Sequence, residues 1–229
     1  MTGELPASPL AYALVLSPEH TLEGHPEHPD RFARLERAMA SLPAGAAWRI
    51  EPRPAPEQAL LAVHPERYLR ALEAACTQGP AYVDYAPTYV TPESFTSACQ
   101  AAGATLNVLD EVLSGRSRGG LALVRPPGHH ATATRAMGFC LLNNTALAAR
   151  AAQRAGLQRI LIIDVDLHHG NGTQAIFEAD PEVLYISTHQ RGIYPGSGAL
   201  EETGVREGAG ATVNIPLPPH CGDETFARI

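Results

Sequence analysis

The chain has 229 residues, 45% of them hydrophobic and 18% charged, a globular rather than a disordered composition with enough material for a sizeable core. Its 17 basic side chains against 24 acidic ones leave a formal charge of −7, which argues against a nucleic-acid or anionic-membrane surface, since either needs a basic excess. Every one of the cations is arginine, so a lysine Schiff base and a P-loop lysine are excluded.

In chain order, Tyr12 to Leu16 reads as a first strand. The apolar run around it, Leu10 to Leu16, is too short to span a bilayer and no basic residue precedes it, which speaks against a secretory signal. Pro29 to Leu42 reads as a helix with Phe32, Leu35, Met39 and Leu42 on one face. Pro52, Pro54 and Pro56 mark a surface loop that does not divide the chain, and a single domain over 1–229 is expected. Pro65 to Ala75 is a second helix, with Tyr68, Leu69 and Leu72 on one stripe. Pro92 to Ser114 is a long third, faced by Phe95, Ala98, Ala102, Leu106, Leu109 and Leu113 and stopped by Gly115. Gly120 to Val124 is a buried strand, Leu142 to Arg154 a helix ending at Gly156, and Arg159 to Ile163, Val183 to Ser187 and Ala211 to Ile215 are further strands. Apolar strands alternating with helices imply an α/β fold, a parallel sheet covered on both faces. Ligands bind such sheets beyond the carboxyl ends of the strands.

The unusual residues fall there. Asp164-Val165-Asp166-Leu167-His168-His169-Gly170-Asn171-Gly172 begins where an apolar strand ends. If the backbone stays extended, Asp164, Asp166 and His168 share one side. Carboxylate and imidazole at that spacing suit zinc, whose oxygen and nitrogen donors lie at about 2 Å. A lone acidic residue at a strand end is more simply a helix cap; two Asp and two His within six residues favour a site. Arg125-Pro126-Pro127-Gly128-His129-His130-Ala131 also follows a strand. Neutral imidazoles there suit general base and acid work near pH 7. A histidine base needs an orienting partner, for which Asp164 and Asn171 are available. Gly138-Phe139-Cys140 and Tyr194-Pro195-Gly196-Ser197-Gly198 place aromatics beside glycines, as in the walls of a narrow apolar slot; core aromatics and turn glycines account for them equally well. His20, His25, His28, His64, His189 and His220 read as structural or surface residues. Cys76, Cys99, Cys140 and Cys221 are widely spaced without a CxxC and read as reduced thiols of a cytoplasmic protein.

Together Arg125 to Ala131, Gly138 to Asn144, Asp164 to Gln174 and Tyr194 to Gly198 resemble the histone deacetylase superfamily, which includes bacterial histone-deacetylase-like amidohydrolases, acetylpolyamine amidohydrolases and acetoin-utilisation proteins. The resemblance runs from about His25 to the last residue. It implies a three-layer arginase/deacetylase-like α/β fold and zinc-dependent removal of acyl groups from acetyl-lysine or acetylated amines such as polyamines. By matching position it makes Asp166 and His168 zinc ligands. His130 becomes the general base oriented by Asn171, and His129 a second histidine paired with Asp164. Gly138, Phe139 and Tyr194 become the substrate tunnel. Asp164, Ser187 and Thr188 match a structural potassium site, and Phe177 falls at a second one.

The family pattern also departs here. The third zinc ligand, an aspartate in a Gly-Phe-Asp context, and the oxyanion-binding tyrosine do not occur before Ile229, and Asp223 is not that aspartate. The chain therefore reads as a deacetylase domain short of its C-terminal part, ending inside a helix. The alternative is a catalytically impaired short form that binds acylated amines or a partner without turnover. An arginase-like two-manganese site would want more aspartates beside His168 than the sequence offers. Asp84 stands where relatives often grip the substrate backbone, but Pro87 alters that loop, and Asp84 is set aside. The uncovered sheet edge invites self-association, so a homo-oligomer is among the expectations.

Overall fold

The computed structural model describes residues 9–85 and 87–228. Strand β1 (Leu10–Val15) leads through a 3-10 turn at Pro29–Phe32 into helix α1 (Ala33–Ala40) and strand β2 (Ala47–Arg49). Helices α2 (Glu57–Leu60) and α3 (Glu66–Thr77), the hairpin β3 (Ala81–Tyr82) and β4 (Tyr89–Val90), helix α4 (Ser94–Leu113) and strand β5 (Gly120–Val124) follow. After a long loop come α5 (Asn144–Arg154), β6 (Ile160–Asp164), α6 (Asn171–Phe177), β7 (Val183–Gln190), β8 (Thr212–Leu217) and one turn, α7 (Asp223–Phe226). Among the described residues no helix is long and apolar enough to cross a membrane.

The long strands are all parallel, in two three-stranded sheets ordered β2-β1-β5 and β6-β7-β8. β5 and β6 are each an edge, and no ladder joins them among the described residues. Helix α4 serves both halves. One cluster packs Ala98, Ala102 and Leu106 with α3, α5, Phe177 and Tyr185. A smaller one packs Ala104 and Val108 against Ala13 and Val15 of β1. Burial on two sides explains why Ala101 to Ala104 are all small and enclosed, whereas the single stripe expected for α4 runs out at Leu113, which is exposed. Gly103 abuts the backbone of Arg53 to Ala55 so closely that a Cβ has no room.

Most expected elements form within two residues of their anticipated ends. The Pro29 to Leu42 helix is split into the 3-10 turn and α1, and its apolar stripe is not buried: Leu35 and Leu42 are exposed. α3 buries Tyr68, Leu69 and Leu72 as expected, and Cys76 with them. The terminal helix is a single turn, and Ile229 lies outside the described residues. The expected covering of both sheet faces is not met: β5, expected to be buried, has no buried residue, and the outer face of the second sheet is apolar and open. Leu161, Ile163 and Val165 are 55%, 57% and 70% exposed, while Ile162, on the opposite face, is buried.

Candidate active site

The residues singled out from the sequence converge beyond the carboxyl ends of β5 and β6. Pro127, His129, His130, Gly138, Phe139, Asp166, His168 and Tyr194 line one cavity of about 480 Å³. The backbone does not stay extended past Asp164 as the spacing argument assumed. It bends, and the acids hold the bend themselves: the Asp166 N–H donates to Asp164 Oδ1 at 3.2 Å, and the His168 N–H to Asp166 Oδ1 at 2.8 Å. Short polar side chains competing for backbone donors in this way turn a strand end into a loop. Gly170 lies against Asp164 Oδ2 and the Tyr185 hydroxyl, where a Cβ would collide with both.

The two histidines are held differently. His129 Nδ1 donates to Asp164 Oδ2 at 3.0 Å, and Asp164 also accepts from the Tyr185 hydroxyl at 3.2 Å. Burial opposes charge on His129, but the hydrogen bond and the negative charge of Asp164 outweigh it and raise the pKa. Asp164 is buried too, yet the His129 bond holds its pKa below the ordinary carboxylate value. His130 Nδ1 donates to Asn171 Oδ1 at 2.8 Å. Burial and the neighbouring His129 depress the His130 pKa to about 4, against a partial lift from Asn171. His130 is thus neutral near pH 7, with its proton on Nδ1 and Nε2 free to accept. The two rings lie 4.0 Å apart, and Tyr194 stands edge-on to His130 at 5.0 Å.

Asp166 and His168 are half-exposed at the cavity floor, with His168 Nδ1 3.3 Å from Asp166 Oδ1. A carboxylate and an imidazole nitrogen placed together are a donor set that zinc accepts. Among the described residues, no three His, Cys, Asp or Glu side chains come together to hold a metal ion. Asp166 and His168 are two candidate donors, short of a full set among the described residues. Asp164 pairs in register with Ser187 across β6 and β7, and the adjacent Thr188 hydroxyl is buried without a hydrogen-bond partner, which suits an oxygen-donor cation site. Ser187 Oγ is engaged by His189 Nδ1 at 2.9 Å. Phe177 does not join this group. Its ring is in the core beneath the Arg150 guanidinium, and its carbonyl accepts the Asp180 N–H.

Four features carry no role in the sequence reading, which sets Asp84 aside and includes Arg125 and His169 only as members of motifs. Asp84 Oδ1 accepts from Arg135 at 3.1 Å, its Oδ2 lies 3.4 Å from the Gly138 N–H, and its side chain is fully buried. His169, fully buried, bonds Ser197 Oγ at 2.8 Å and Gln174 Oε1 at 2.9 Å, tying the loop that carries Tyr194 to α6. Glu202 takes the Gly198 and Ala199 N–H groups of the same loop. Arg125 forms a two-pronged buried pair with Glu27, at 2.5 and 2.7 Å, and caps the carbonyls of Ser17 and His20. Single acids and arginines scattered over 100 residues carry no spacing signal, so only the structure unites them.

A family model described as "Histone deacetylase domain" matches residues 25–229. A probable deacetylase of Archaeoglobus fulgidus is 41% identical over 213 residues, covering 90% of this chain and 59% of its own. A histone deacetylase-like amidohydrolase of Pseudomonas aeruginosa is 39% identical, covering 90% of this chain and 54% of its own. The solved HDA15 HD domain superposes with a TM-score of 0.85 at 39% identity, over 94% of this chain and 63% of that one. The architecture is thus the arginase/deacetylase-like α/β fold, and the chain spans between half and two thirds of these relatives.

Proposed function

The chain belongs to the histone deacetylase family, and on that footing we propose that its cavity hydrolyses N-acyl amides, removing acetyl or other acyl groups from acetyl-lysine or from acetylated amines such as polyamines, with zinc held by Asp166 and His168. The observation that carries this reading is the pairing of a neutral, Asn171-oriented His130 with a carboxylate–imidazole donor pair in one slot between Phe139 and Tyr194. When bound, zinc supplies polarisation of a carbonyl and acidification of a water. The chain's own residues do the rest. His130 Nε2 accepts the proton of the attacking water and later returns it to the leaving amine. Asn171 Oδ1 keeps the other ring proton on Nδ1, so the tautomer is fixed before substrate arrives. His129, whose pKa Asp164 raises, sits with Nε2 3.8 Å from Asp166 Oδ1, and its protonated form places positive charge where negative charge develops. Phe139 and Tyr194 admit a slim alkyl amide and exclude bulk. Asp164, Ser187 and Thr188 offer the oxygen donors of a structural potassium ion, with Phe177 at a second such site.

The incomplete donor set favours a second reading, binding of acylated amines without turnover. One experiment separates the two. The purified chain is incubated with zinc and either an acetyl-lysine peptide or an acetylated polyamine, and released acetate is measured. Zinc-dependent release that His130→Ala reduces by about 100-fold or more supports hydrolysis. Ligand binding without acetate release refutes hydrolysis by this chain and supports the second reading.

A further inference from the structure

His25 lies on the loop between β1 and the 3-10 turn and is 8% exposed. Both ring nitrogens are spent. Nδ1 accepts the Glu27 N–H at 3.0 Å, and Nε2 donates to the Pro87 carbonyl at 3.0 Å. The plane of the ring is therefore fixed by two separate segments. That ring stands edge-on to Tyr89, with centroids 4.6 Å apart, and edge-on to Phe139, at 4.7 Å.

Phe139 is the residue in need of support. Its φ is +68°, a region that bulky L residues seldom occupy and that persists only where surroundings over-determine it. Its N–H donates to Thr88 Oγ1 at 2.9 Å, which fixes the backbone. Among the described residues, His25 is the only aromatic ring packed against it. Pro26, next to His25 in the chain, and Pro87, its hydrogen-bond acceptor, line the same cavity as Phe139.

We propose that His25 is a positioning residue that fixes the Phe139 wall and so sets the width of the acyl-binding slot. The proposal rests on the N-acyl amide reading above and names a determinant of acyl-chain specificity for it. His25 touches no reacting atom. It acts through Phe139, against whose ring it packs. Without the imidazole, a ring-sized space opens behind Phe139, the wall can tilt away from Tyr194, and longer acyl groups fit. A tight apolar slot discriminates one methylene by roughly 10- to 200-fold.

The test measures dissociation constants of fluorescently labelled acetyl-lysine and butyryl-lysine peptides for the zinc-loaded chain, by anisotropy, and compares their ratio between variants. His25→Ala is expected to cut the preference for acetyl by about 10-fold. His25→Phe, which keeps a ring but neither hydrogen bond, is expected to retain it. Should His25→Ala not fold, His25→Gln, which keeps a donor and an acceptor but no ring, is read in its place and is expected to relax the preference likewise. An unchanged ratio in a folded ring-less variant overturns the proposal, as does equal relaxation in His25→Phe. If the wild-type chain binds neither peptide, the N-acyl amide reading itself fails, and this inference falls with it.

Discussion

His64 makes the fold's dependence on pH calculable. It sits, fully buried, in the turn between α2 and α3. Nδ1 donates to the Ala133 carbonyl at 3.1 Å, and Nε2 accepts the N–H of Asn143 at 3.0 Å. Asn143 in turn caps α5 through Oδ1, and its amide group holds Ala131, so the acceptor on His64 anchors both the helix start and the loop carrying His129 and His130. Protonating Nε2 replaces that acceptor with a donor facing a donor. Burial lowers the His64 pKa from 6.5 to about 4, against a small lift from Ala133. Between those values the unfolded chain binds more protons than the folded one, so stability rises with pH. The contribution is complete above pH 6.5 and is lost as the pH falls toward 4. At pH 5 the proton favours the unfolded chain by a factor of about 30, or about 2 kcal/mol. Urea unfolding of the wild type and of His64→Gln at pH 7.5 and at pH 5 isolates this term from every other titrating group. The stability advantage of the wild type should shrink by about 2 kcal/mol between the two conditions. Parallel losses in the two proteins would refute the assignment.

Arg125→Met removes the two-pronged partner of the fully buried Glu27 carboxylate, leaving only the longer contacts of Arg31 at 3.7 Å and His20 at 3.5 Å, and should cost about 3 kcal/mol in urea unfolding. A loss under 1 kcal/mol would show that the pair adds little. Gly138 has φ +56°, and a Cβ there would enter the His130 ring, so Gly138→Ala should lower stability by about 2 kcal/mol and weaken acyl-peptide binding together; an unchanged thermal midpoint contradicts the packing described. The double substitution Leu161→Thr and Ile163→Thr changes side chains that are more than half exposed. It should reduce binding of a hydrophobic dye and aggregation while altering stability by about 0.5 kcal/mol or less. A large loss of stability would mean that these residues are packed in solution.

The strands and long helices were legible because their signals are local. β5 has the ends expected of it, and α5 stops before Gly156 as expected, while its start falls two residues later than Leu142 because Asn143 caps it. The split of the Pro29 helix was not legible, since nothing in the stripe of Phe32, Leu35 and Met39 says that no core lies opposite it. The one-turn α2 and the β3–β4 hairpin are too short to show a period. In the site, His129, His130, Asp166 and His168 were visible because they cluster in sequence and meet in space. The contacts of His25, Asp84 and Glu27 were not legible for the opposite reason: His25 reads as structural or surface, Asp84 as a candidate set aside, and Glu27 belongs to no motif. Each acts through a partner far away in the chain, His25 through Phe139, Asp84 through Arg135 at a separation of 51 residues, and Glu27 through Arg125 at 98. The extended course expected past Asp164 does not occur, because its carboxylate and that of Asp166 capture backbone N–H groups and bend the chain, and the bend brings His168 back to Asp166.

Among the described residues no ladder joins β5 to β6, so the meeting of the candidate site's side chains depends on how the two sheets are held together. His129 and His130 ride on one plate, Asp164 and Asn171 on the other, and the contacts of 3.0 and 2.8 Å between them act as rivets across the seam. A shift of about 1 Å between the plates parts both rivets, and misplacement on that scale is worth roughly 100-fold in rate. On the hydrolytic reading proposed above, reactivity gauges how firmly the two halves are clamped. Whatever wedges or draws together the seam far from the cavity turns the same dial as a substitution within it.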